Sequence, residues 1–97
     1  MVRHIVIFKF KGDVAERRAT AEKFKSKLDV LPEIIPELIR IETGINCNEK
    51  ENSDLVLIAE AATLDDVAAY SAHPAHVAAV DSVRSRIESR TCADYLL

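Results

Sequence analysis

Among the side chains that can move protons or steady charge, four stand out as candidates: His4, Tyr70, His76 and Asp94. Histidine is the one side chain whose ordinary pKa lets it take and return a proton near neutral pH. A carboxylate bonded to an imidazole holds the ring in one tautomer and makes it a better base, which is the role open to Asp94. A phenol such as Tyr70 can donate a hydrogen bond to an oxygen on which negative charge develops. A placed histidine base contributes about two to four powers of ten in rate. His73 stands directly before Pro74, a position that also suits a helix cap or turn. Each of the others has a plain structural alternative: His4 and His76 as hydrogen-bonded core groups, Tyr70 as core with a satisfied hydroxyl. Three histidines with Asp94 could suggest a metal, but the His73-Pro74-Ala75-His76 run, split by a proline, is a weak signal with no closed ligand set, so no metal is expected. Cys47 and Cys92 lack a motif or an adjacent base and read as buried bystanders.

The elements that must position these groups follow from hydrophobic period. Val2 to Phe10 is β-branched and aromatic and reads as a strand, with His4, Val6, Phe8 and Phe10 on one face and Ile5, Ile7 and Lys9 on the other. Gly12 breaks it, and Asp13 with Glu16 makes a capping box for a helix from about Val14 to Leu31, whose apolar stripe is Ala21, Phe24, Leu28 and Leu31. Pro32 and Pro36 end that helix. A second strand runs from about Leu38 to Cys47, and a polar turn over Asn48 to Asp54 leads to a third, Leu55 to Ala59, apolar on both faces. Thr63 with Asp66 starts another helix, with Leu64, Val67, Ala68 and Ser71 as its inner stripe. His73-Pro74 interrupts it, and a new segment follows, carrying Val77, Val80, Val83 and Ile87. A last strand occupies about Arg90 to Leu96.

This order, βαββαβ, predicts an α+β ferredoxin-like unit: a four-stranded antiparallel sheet with its helices on one face, in a single domain over residues 1–97. The first and fourth strands are then neighbours, which brings His4 beside Asp94. The break at His73-Pro74 turns His76 toward the same end, so that Asp94 would orient it as well. Val6, Phe8, Phe24 and Val80, with His73 at the helix break, would wall a cavity for a small apolar ligand between sheet and helices. The opposite sheet face has no cover. An apolar face of that size is more than a soluble monomer usually exposes, so a homodimer packed through Ile5, Ile7 and the outward side of Leu55 to Ala59 is expected.

Composition limits the alternatives. The 97 residues are 48% hydrophobic and 30% charged with net charge −3, and the basic residues alternate with acids, which argues against nucleic acid as a partner. A chain of this length buries only roughly 60–65% of its unfolded surface, so a second subunit adds needed stability. The apolar opening, Met1 to Phe10, is too short and too alternating for a membrane span or a leader, and two unpaired cysteines suit a reducing compartment; a cytoplasmic, membrane-free protein is expected.

The sequence resembles the stress-responsive A/B-barrel (Dabb) family over nearly its whole length. The matching features are the His4 to Lys11 strand, Leu31-Pro32 with Ile35-Pro36, Gly44-Ile45-Asn46, Ser53 to Leu57, Tyr70 with His73 to Val77, and Asp94-Tyr95. The resemblance implies a dimeric α/β barrel in which two sheets face each other. It also implies kinship with a plant polyketide cyclase that closes a linear polyketide thioester by aldol condensation without a metal or organic cofactor. Its histidine base falls on His76, its tyrosine partner on Tyr70, its first-strand pocket histidine on His4 and its C-terminal aspartate on Asp94. Of the aromatics lining that enzyme's pocket, mainly Phe24 is kept in the first helix.

Two functions follow. One is a cofactor-independent cyclase, lyase or isomerase acting next to a carbonyl. The other is a stress-associated dimer that binds a small apolar molecule without turnover. The first requires an open apolar pocket containing both Tyr70 and His76. The second predicts a small or closed cavity with both groups saturated by internal hydrogen bonds.

Overall fold

The computed structural model describes residues Met1–Leu97. Strand β1 (Val2–Phe10) leads through Gly12 into helix α1 (Val14–Leu28). Gly12 has φ 110°, and a Cβ there would lie 2.6 Å from Arg86 Nη2 and 2.9 Å from Glu16 Cβ, so only glycine fits the corner. The predicted capping box closes α1: the Glu16 amide donates to Asp13 Oδ1 at 2.8 Å and the Asp13 amide to Glu16 Oε1 at 3.3 Å. The helix ends at Leu28, a turn earlier than its apolar stripe suggests. Leu31 is buried all the same, from a 3₁₀ turn (Leu31–Glu33) that carries Pro32.

Strands β2 (Arg40–Ile45) and β3 (Leu55–Ala61) flank the polar turn, where the Asn46 side chain donates to the carbonyls of Asn48 and Ser53. Helix α2 (Leu64–Ala72) is capped by Thr63, and its buried residues are Val67 and Tyr70. The stripe differs from the one expected: Leu64, Ala68 and Ser71 are exposed, and Tyr70 joins Val67 as the buried pair three residues apart. Helix α3 (Pro74–Asp81) is shorter than expected. It does not carry Val83 and Ile87, since a 3₁₀ turn (Arg84–Arg86) follows and Ile87 already opens strand β4 (Ile87–Leu96).

All strand pairs are antiparallel in the order β2-β3-β1-β4, the ferredoxin-like arrangement that the element order predicts. The core lies between the sheet and the helices, built on Val6, Phe8, Phe10, Leu55 and Leu57 from the strands and Phe24 and Leu28 from α1. Phe24 meets Phe8 edge-on with ring centres 5.2 Å apart. On the bare face of the sheet Ile7 remains 42% exposed. No helix is long and apolar enough to cross a membrane.

A candidate proton-transfer cavity

Pairing of β1 with β4 sets His4 opposite Asp94 and Val6 opposite Cys92. His4 is 5% exposed, and its Nδ1 lies 2.5 Å from Asp94 Oδ1. A carboxylate oxygen accepts, so the ring's Nδ1–H donates. Cys92 Sγ approaches the same Nδ1 at 3.4 Å. Thiol and carboxylate thus contact one ring nitrogen instead of opposite ones, which rules out a relay from Cys92 through His4 to Asp94. The three donor atoms of His4, Cys92 and Asp94 do gather within 4.8 Å of one another. Their close approach is accounted for by the hydrogen bond. Cys47 is exposed, contrary to its reading as buried, since it lies two residues past the end of β2.

The His73-Pro74 break positions the second histidine. His73 is extended (φ −61°, ψ 135°), as a residue before proline must be, and its Nδ1 accepts from the Ala75 amide at 3.0 Å. His73 is therefore the cap of α3, outside the cavity for which it was a candidate. The new helix axis points His76, in its first turn, back at α2. There the His76 Nδ1–H donates to the Ser71 carbonyl at 2.9 Å. A carbonyl only accepts, so this bond fixes the tautomer and leaves Nε2 unprotonated in the neutral ring. Burial holds the His76 pKa below its ordinary 6.5, against the opposing effect of the Ser71 bond. The expected link from Asp94 to His76 does not form: Asp94 serves His4, and a backbone carbonyl serves His76.

Tyr70 stands between the two imidazoles, 4.5 Å from the His76 ring centre and 6.2 Å, edge-on, from His4. It is 1% exposed, yet its hydroxyl makes no hydrogen bond within the chain. Burial pushes its pKa far up, so the phenol stays protonated and available as a donor.

These groups open on a cavity of about 400 Å³. Val6, Phe8 and Leu57 form its floor, Phe24 and Val80 its apolar walls, and His4, Tyr70 and His76 one polar side. Of the residues anticipated from sequence, Asp94 and His73 do not line it. Arg84 and Arg90 do, and sequence reasoning missed both because they sit among alternating charges that resemble a solvated face. The β1–β4 register was the signal available for Arg90: it pairs with Phe8, hence on the helix side. The arrangement offers a fixed base (His76 Nε2), a neutral donor (Tyr70) and an apolar surface for a substrate's body, the combination needed to draw a proton from carbon beside a carbonyl.

A family profile described as Stress responsive A/B Barrel Domain matches residues 2–97. Among solved structures, a dimeric ferredoxin-like protein of unknown function from Bacteroides fragilis shares 39% identity, with 99% of this chain and 95% of that chain covered and a TM-score of 0.93. A dimeric ferredoxin-like protein of unknown function from Thermobifida fusca shares 28%, covering 99% and 90%, with a TM-score of 0.83. A Dabb family protein from Mesorhizobium loti, at 23% identity, TM-score 0.77 and coverage of 99% and 95%, has the same fold. No protein of curated function matches the chain.

Proposed function

The chain belongs to the stress responsive A/B barrel domain family, and from that premise we propose that it is a cytoplasmic homodimer, packed through its bare sheet faces, whose subunits each bind a small apolar carbonyl compound. In this reading His76 Nε2 removes a proton from the carbon next to the carbonyl, and Tyr70 donates to the oxygen that becomes enolate. The dimeric state of the Bacteroides fragilis and Thermobifida fusca proteins supports the assembly. One observation carries the chemistry: the Tyr70 hydroxyl has no partner within the chain, although it is deeply buried and borders a roomy cavity beside His76. Because Tyr70 borders the cavity, its hydroxyl is free to donate to a ligand oxygen there. Unpaired cysteines suit the reducing compartment.

The test is solvent exchange. With 2-nonanone in D2O, proton NMR follows deuteration next to the carbonyl, and titration follows binding. Wild-type protein should bind the ketone and accelerate exchange. His76→Ala should abolish the acceleration, and Tyr70→Phe should lower the rate more than the affinity, since its hydrogen bond matters most once charge develops. Binding without exchange would reduce the protein to a carrier, the second function anticipated from sequence. The absence of both binding and exchange would contradict the reading outright.

A further inference from the structure

The cavity's charge is one-sided. Its lining contains two guanidinium groups, Arg84 and Arg90, and no carboxylate. The two are not equivalent. Arg84 Nε is engaged by Asp81 Oδ1 at 2.9 Å, a pairing between neighbours on the surface. Arg90 makes no ion pair and no side-chain hydrogen bond, although ten ion pairs satisfy most other cations of this chain. Its position is set by β4, paired with Phe8 on the helix side of the sheet, so a rigid strand and not a loop delivers it to the cavity mouth. Its charge is felt by both Tyr70 and His76. A planar guanidinium with free donors, on a fixed element beside an apolar hollow, suits two-point recognition of a carboxylate.

We propose that Arg90 is a specificity-determining residue and that the ligand is a keto acid: an apolar chain bearing a carbonyl, held between Tyr70 and His76, and a carboxylate that pairs with Arg90 at the mouth. This rests on the reading of the cavity as a carbonyl-binding site and adds the charge of the substrate class to it. Arg90 belongs to substrate binding; the proton still moves to His76.

Binding of two stable probes, 4-oxononanoate and its neutral amide 4-oxononanamide, tests this by calorimetry together with chemical-shift changes at His76 and Tyr70. The acid should bind at least about tenfold tighter than the amide, as charge-assisted pairing implies. Arg90→Gln should bring the acid down to the affinity of the amide and leave the amide unchanged, Arg90→Lys should restore part of the difference, and Arg84→Gln should have little effect. Equal binding of acid and amide by the wild type, or equal weakening of both by Arg90→Gln, would overturn the assignment of Arg90 while leaving the carbonyl site standing. Binding of neither probe, with no shift at His76 or Tyr70, would overturn both.

Discussion

On β1, His4, Val6 and Phe8 turn toward the helices and enclose a cavity, while Arg3, Ile5 and Ile7, alternating with them, turn to the bare side of the sheet. The helix side is hollow, and its histidines are held individually, His4 by Asp94 and His76 by the Ser71 carbonyl, while the Tyr70 hydroxyl has no partner in the chain. The bare side is organised differently. Glu60, one of the few buried charged residues, receives Arg3 at 3.0 Å and Arg40 at 2.9 Å, and Arg3 also donates to the Tyr95 hydroxyl at 3.0 Å. Next to this network lie Ile5, Ile7, Val56 and Ile58. One face thus sets a mutually satisfied charge cluster beside an apolar strip, and the other sets a hydroxyl without a partner beside a hollow. Period-two alternation is what lets the nine residues of β1 face both ways.

Substitutions that respect this division should separate the two faces. The largest effect belongs to the bare face. Ile7→Asp would enter a symmetric interface twice, costing about 4 kcal/mol or more across the pair, so light scattering should register monomer or aggregate in place of dimer. An unchanged dimer mass would move the interface elsewhere. Next is Asp94→Ala, which strips the partner from a buried imidazole and should lower unfolding stability by about 1–2 kcal/mol in denaturant titration. Because Asp94 serves His4, this variant should leave the His76 tautomer intact.

Smaller again is the pH effect of His76, whose folded pKa lies below the ordinary 6.5 because of burial. Above that value the ring is neutral in both states and contributes nothing to pH dependence. As pH falls below 6.5 the unfolded chain takes the proton first, so stability declines until the folded ring also protonates. Urea titrations of wild type and His76→Gln should differ in slope only in that acidic window, and any exchange activity should rise with pH to a plateau reached by neutrality. The smallest change in stability is expected for Tyr70→Phe. The hydroxyl has no internal partner to lose, so the melting temperature should stay within a degree or two or rise, while ligand affinity falls. A marked loss of stability would reveal a structural partner for the phenol and weaken the case for a ligand.

Much of this was legible beforehand. Strand order, the capping box at Asp13 and Glu16, the meeting of His4 with Asp94 and the cavity walls Val6, Phe8, Phe24 and Val80 all follow from short-range pattern plus one topological rule. What pattern cannot supply is direction after a break. Proline at 74 announces that α2 ends but not how α3 turns, so His76 was linked to Asp94 when its partner is the backbone of Ser71. Val83 and Ile87 kept a helical spacing beyond the end of α3, where tertiary packing sends the chain into β4. Arg90 was hidden by its neighbours in sequence, Glu88 and Asp94, which leave its guanidinium unpaired in space.

The proposed chemistry depends on an unprotonated Nε2 at His76, whose Nδ1 is committed to the Ser71 carbonyl. Long-range proton–nitrogen NMR of histidine-labelled protein at pH 7.5 reads this directly. The His76 ring should be neutral with the proton on Nδ1, unchanged in Asp94→Ala, and its Nε2 should be perturbed when 2-nonanone binds. A proton on Nε2, or an imidazolium ring at that pH, would contradict it.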